Sequence, residues 1–276
     1  MRPLPRALLV PALVLVAFAA PALDAASPEC RPGVVFENGG LRVWFHESKG
    51  FVKVFDSGGE DDAGVHWSYK TGEVVERDAD GAEVARMGLE RAYPKTSGCS
   101  VVETEETVDL ALTVTDDVKA DGRPAGTATV VFAYHFNKTD RGAKFDLHVV
   151  GWPWQADGTL AYAFDVEIEG GAAEPAENGV GFRDADGNAR GFVTWAPNAT
   201  ARYGDGHEET AVVDAATEAD GGRARVTLAF GQAAAGYEAL LYDPWVGAGA
   251  YAAVGPVLVP VAQAQNLLGR VARLLP

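Results

Sequence analysis

Two histidines and a row of carboxylates fall on one side of an alternating run. In residues 127–169, TATVVFAYHFNKTDRGAKFDLHVVGWPWQADGTLAYAFDVEIE, His135 lies opposite the apolar set Val130, Phe132, Tyr134 and Phe136. Asp146 and His148 lie opposite Phe145, Leu147 and Val149. Asp165, Glu167 and Glu169 lie opposite Phe164, Val166 and Ile168. Imidazole beside carboxylate can ligate a divalent metal or exchange protons. If the three runs are sheet neighbours, His135, Asp146 and His148 form the candidate metal or acid–base set. The same residues also suit the wetted face of an antiparallel sheet, which asks no chemistry of them. There is no GxSxG, HExxH, phosphate loop or dinucleotide fingerprint. No residue is therefore assigned a catalytic role, and no cofactor is called for.

Other residue types suggest binding or modification. Trp44, Trp67, Trp152, Trp154, Trp195 and Trp245 could stack on sugars or fill a core. Trp152 and Trp154 flank Pro153 and are the ligand-binding candidates. Asn137-Lys138-Thr139 and Asn198-Ala199-Thr200 are glycosylation sequons in polar connections. Cys30 and Cys99, the only cysteines, read as one disulfide in an exported chain. Arg77-Asp78-Ala79-Asp80-Gly81 recurs as Arg183-Asp184-Ala185-Asp186-Gly187. Both copies lack the third acidic position and the distal Glu of a calcium loop, and Asp and Gly are turn residues, so both read as hairpin turns.

The elements that must hold these residues are strands. A period of two recurs along the chain, and Gly, Asp and Asn clusters separate short apolar runs with no βαβ pattern. Asn38-Gly39 predicts a hairpin. Strands are expected over 51–55, 65–69, 73–76, 82–91, 179–182, 191–195, 210–213, 224–230 and 237–241, with two more within 100–115 (SVVETE and TVDLALTV) and a polar loop over 116–124. The fold class is all-β: an antiparallel β-sandwich with many short strands and hairpins and a short C-terminal helix.

Residues 1–25 have the parts of a signal peptide: Arg2 and Arg6, an apolar core from Ala7 to Ala20, and small residues near Ala22. The β-sandwich domain is expected over 26–247, with room for two sub-lobes. Residues 248–276 form an apolar tail, read as a membrane anchor or an amphipathic helix. The net charge of −16 disfavours nucleic acid as a partner.

Three stretches carry a resemblance. They are Trp152-Pro153-Trp154 before an alternating strand, the run Gly191 to Trp195, and Tyr242-Asp243-Pro244-Trp245-Val246-Gly247. Across most of the mature chain it resembles a group of uncharacterised secreted archaeal β-rich proteins. The resemblance implies a β-sandwich fold and export, and it transfers no site residue. The expected function is a structural or recognition role outside the cell or at its surface, with a protein or glycan as partner and membrane contact through the tail. A carbohydrate-binding module-like protein is the first alternative. A metal-dependent hydrolase using His135, Asp146 and His148 is the second.

Overall fold

A computed structural model describes residues 35–38, 41–45, 51–56, 67–89, 98–137, 142–248, 251–254 and 257–260. Twenty strands run through them. In chain order they are β1 (Val35–Asn38), β2 (Leu41–Phe45), β3 (Phe51–Asp56), β4 (Trp67–Asp78), β5 (Glu83–Gly88), β6 (Gly98–Glu103) and β7 (Thr107–Ala120). Next come β8 (Arg123–Asn137), β9 (Gly142–Val150), β10 (Gly158–Ile168), β11 (Ala172–Ala176), β12 (Gly179–Arg183), β13 (Ala189–Thr194) and β14 (Asn198–Arg202). The last are β15 (Glu208–Asp220), β16 (Arg223–Gly231), β17 (Ala239–Tyr242), β18 (Trp245–Ala248), β19 (Tyr251–Val254) and β20 (Val257–Pro260). The described residues contain no helix, and every strand pairing is antiparallel.

The pairing returns on itself. From β4 it passes through β5, β7, β8, β9, β17, β14, β15, β16 and β10, and β10 pairs back to β4. Ten strands thus close a ring where two separately edged sheets were expected. Each antiparallel step reverses direction, so such a ring closes only with an even number of strands. Its thinnest seam is β5 to β7, held by the single pair Arg86–Lys119. Closure removes the unpaired edges that an open sheet would expose along these strands. The hairpin β1–β2 continues through β3 onto β4, and β6 flanks β7. A branch of β18, β13, β12 and β11 leaves the ring at β9.

Several sequence expectations change in physical terms. The two strands expected around Thr71-Gly72 are one, β4. Gly72 is an extra residue opposite the Ala163–Phe164 step of β10. A Cβ there would sit 2.6 Å from the Ala163 carbonyl oxygen, so the glycine marks a bulge and not a turn. The polar loop expected over 116–124 shrinks to Asp121-Gly122, because Asp116, Asp117 and Lys119 belong to β7 and Pro124 lies at an irregularity of the ladder. Part of the expected tail is also sheet. The hairpin β19–β20 docks through Leu258, whose N–H and carbonyl pair with the Asn178 side chain at 2.8 and 3.0 Å. The rest of the tail, and the helix expected in it, lie outside the described residues.

Inward-facing residues fill the ring. Tyr69, Tyr134, Tyr162, Tyr242, Phe132, Phe164, Phe230 and Met87 are fully buried. Opposite walls touch: the Phe132 ring of β8 lies 6.0 Å from the Tyr162 ring of β10. The Tyr69 and Tyr162 hydroxyls bond to each other in this core.

One inward position is a carboxylate. Glu76 on β4 has no solvent exposure. It sits between Ala85 of β5 and Leu160 of β10. It accepts the Trp152 indole N–H at 2.8 Å and the backbone N–H groups of Gln155 and Ala156 at 2.9 and 2.7 Å. Thus Glu76 holds the corner from β9 to β10. The corner also lies against β8, where a Cβ on Gly126 would come within 2.8 Å of Pro153.

Removing the Glu76 carboxylate leaves three donors unmet, among them the buried Trp152 indole. Glu76→Ala is expected to destabilise the protein by about 3–5 kcal/mol, and Glu76→Gln, which turns one acceptor into a donor, by about 1–3 kcal/mol. Urea unfolding followed by tryptophan fluorescence measures both. A change below the exposed-site range would rule out this corner as a main anchor.

Candidate functional site

The three sequence-predicted site residues divide two and one. His135 of β8 stands between carboxylates from its two neighbours. Its Nδ1 lies 2.8 Å from Asp109 of β7, and its Nε2 lies 3.1 Å from Asp146 of β9. Lys144 extends the chain of charge, with its Nζ 3.0 Å from Asp146 and 3.2 Å from Asp243. Burial raises the Asp146 pKa, but the Lys144 ammonium and then His135 outweigh it and hold the group below its usual range. His148 points out on the same face of β9 and has no hydrogen-bonded partner among the described residues. Burial lowers its pKa against the pull of Asp146 and Asp243. Among the described residues, no group of three or more His, Cys, Asp or Glu side chains is arranged to hold a metal ion.

The carboxylates of the third run are elsewhere. β9 and β10 do not pair, because the Glu76-held corner carries the chain across the ring, and β10 lies between β4 and β16. Asp165 and Glu167 therefore belong to a different outer wall from His135. There the register places Lys70, Asp165, Arg225 and Glu218 in one row across β4, β10, β16 and β15. Ser68, Glu167, Arg223 and Asp220 form the next row. Along the strands this makes stripes of alternating charge.

The ion pairs on this wall are specific. Glu167 takes Lys70 at 2.8 Å on one oxygen and Arg223 at 2.8 Å on the other. These pairs lower its pKa, the Lys70 hydrogen bond most. Arg225 reaches Glu73 at 2.8 Å and Asp165 at 3.3 Å. Glu73 is also 3.4 Å from Arg86, which bonds to Glu83. Over these rows lies a groove of about 390 Å³ lined by Lys70, Asp165, Glu167, Glu218, Arg223 and Arg225 among others. It was not legible in the sequence, since the register that aligns four strands is a long-range property.

The tryptophan candidates separate in the same way. Trp152 is buried, with its N–H on Glu76, and so cannot serve as a binding platform. Trp154 is half-buried, packs edge-on against Tyr237 at 4.7 Å and donates to the Tyr237 carbonyl at 3.2 Å. Trp195 is also buried. Asn198 is exposed at the start of β14, and Asn137 is the last residue of β8. Cys99 lies in β6, while Cys30 falls outside the described residues.

The repeated Arg-Asp-Ala-Asp-Gly segments form matching turns. Asp78 Oδ1 accepts the N–H groups of Asp80 and Ala82, and Asp184 Oδ1 accepts those of Asp186 and Asn188. Arg77 and Arg183 each donate to the carbonyl of their turn glycine, at 3.0 and 2.9 Å. Gly81 and Gly187 have φ of 81° and 82°, the left-handed conformation in which glycine is favoured. The second copy adds Arg190, 2.7 Å from Asp184 Oδ2. Burial pushes the Asp184 carboxyl up, but the Asn188 backbone N–H and Arg190 outweigh it and lower it to about 2.

No family model matches the chain, and none of the curated proteins matches it. Among solved structures it is similar to an α-N-acetylgalactosaminidase from Bifidobacterium bifidum in complex with GalNAc, at 11% identity and a TM-score of 0.46. The match covers 79% of this chain and 36% of that one, so the chain spans about a third of the enzyme's length.

Two outcomes follow from this geometry. His135 is half-exposed, so His135→Ala should cost no more than about 1 kcal/mol in urea unfolding; a loss of several kcal/mol would show that it anchors the fold. Asp184 behaves differently with pH. Its folded pKa is depressed, so its contribution is complete above the unfolded value of roughly 4 and is lost as pH falls toward 2. Between those limits wild type should lose more stability than Asp184→Asn. Parallel urea midpoints against pH would contradict this.

Proposed function

We propose that this chain is an exported, cell-surface protein that works by recognition or scaffolding through its outer walls, with a protein or glycan as partner. The observation that carries this reading is how the outer titratable groups are used. His135 is held between two carboxylates from adjacent strands, and Glu167 between two cations from adjacent strands. These contacts join strands into a stiff wall around a filled interior. The signal-like N-terminus, the acidic surface and the exposed Asn198 sequon support a place outside the cell. So does the resemblance to secreted β-rich proteins. We propose membrane contact through residues 261–276, where Leu267, Leu268, Val271, Leu274 and Leu275 have the spacing of one face of an amphipathic helix.

Export is tested by expressing the full chain and a chain starting at residue 27 in a secreting host, then treating intact cells with protease. The full chain should be secreted or cleaved at the surface, and the shortened one protected inside. A full chain confined to the cytoplasm would sink the reading. A third chain ending at Pro260 tests the tail by membrane fractionation. Equal release with and without the tail counts against membrane contact.

A further inference from the structure

We infer that the striped groove over β4, β10, β16 and β15 is a binding site for a neutral saccharide; this rests on the recognition reading above and names its ligand class. The key observation is the direction in which the two arginines lean. By register Arg223 stands opposite Asp220, and Arg225 opposite Glu218. Neither makes that cross-strand pair. Arg223 turns to Glu167 through Nε and Nη2, and Arg225 turns to Asp165 and Glu73 through Nη1 and Nη2. Glu218 and Asp220 are exposed and hold no ion pair with another described residue. A slot therefore runs between β16 and β15, with guanidinium N–H groups on one side and open carboxylates on the other.

The contents of the slot select the ligand. Arg223 Nη1 offers donors, while Glu218 and Asp220 offer only acceptors when ionised. A hydroxyl donates one hydrogen bond and accepts others, so it can bridge the two sides. A sugar ring carries several hydroxyls on neighbouring carbons and can bridge more than one row. Net charge points the same way. Lys70, Arg223 and Arg225 face Asp165, Glu167, Glu218 and Asp220, which leaves an excess of a single negative charge on a chain of net −16. A ligand with a large charge of either sign gains little there, whereas an uncharged polyol meets fixed donors and acceptors without bringing an ion out of water. The volume of about 390 Å³ lies at the lower end of the small-ligand range, roughly 300–1,000 Å³. It suits one or two sugar rings.

The ion pairs on the floor hold the slot in shape. Lys70 and Arg223 each take one oxygen of Glu167, which directs the Arg223 guanidinium toward β10 and away from Asp220. No indole is required. The site thus differs from the ligand-binding candidates Trp152 and Trp154 read from the sequence.

The test is calorimetric titration of the full chain after a screen on immobilised neutral di- to tetrasaccharides built from glucose, galactose, mannose and N-acetylhexosamines. Sialylated glycans, calcium chloride and an oligolysine peptide are titrated in parallel. Binding of a neutral saccharide is expected. It should weaken about tenfold or more in the double variant Glu218→Gln/Asp220→Asn and in Arg223→Ala. Val150→Ala, on a different wall, should leave it unchanged. The double variant removes no ion pair among the described residues, so its melting temperature should stay at the wild-type value. The inference is overturned if no neutral saccharide binds, or if only calcium or oligolysine binds. It is also overturned if saccharide binding survives in the folded double variant. In that last case surface recognition stands and only the groove assignment falls, while the protease assay on intact cells judges export separately.

Discussion

A single carboxylate with no counter-cation among the described residues organises the molecule. Glu76 sits fully buried on the inward face of β4, where leaving its charge unsatisfied would be costly. The compensation comes from one segment: the Trp152 indole and two successive backbone amides converge on it. Because that segment is the connection from β9 to β10, satisfying one buried charge also decides where the chain goes next. β10 is delivered to the side of β4, and the three runs that look consecutive in sequence end on two different walls.

Ring closure follows from that routing. β10 lies between β4 and β16 and completes the antiparallel circuit, and its inward residues meet those of β8 across the interior. With the inside filled by aromatic rings, variation is left to the outside. The outer walls are not uniform. One joins β7, β8 and β9 through Asp109, His135 and Asp146. Another joins β4, β10, β16 and β15 through stripes of paired charge. Exposed pairs of this kind contribute little to stability one by one. On the striped wall they turn Arg223 and Arg225 toward β10 and β4, and a groove lies over the rows.

Much of the fold was legible in the chain itself. Alternation marked β8, β9 and β10, flanking Gly, Asp and Asn clusters marked β12, β13 and β16, and Asn38 is the last residue before a two-residue hairpin connection. The Arg-Asp-Ala-Asp-Gly repeat read correctly as a turn, because Asp and Gly act there through local hydrogen bonds and a positive φ. Local signals failed where a distant strand decided the outcome. Gly72 looks like a turn residue and is a bulge against β10. The polar text of 116–120 looks like loop but is strand, since only one face of β7 needs to be apolar. Trp152 looks like a surface aromatic, and a carboxylate 76 positions away buries it.

The sequence alone determined that the described residues are all-β and antiparallel, which residues of β8, β9 and β10 face inward, and that the two Arg-Asp-Ala-Asp-Gly segments are turns. These depend on periodicity and on residues within a few positions of one another. Only the tertiary structure decided that ten strands close a ring, that His135 pairs with Asp109 and Asp146, and that Asp165 and Glu167 stand among Lys70, Arg223 and Arg225. Those outcomes depend on strand order and register. Both are set by contacts between residues far apart in the chain, and a shift of one residue would turn every side chain of a strand to the opposite face.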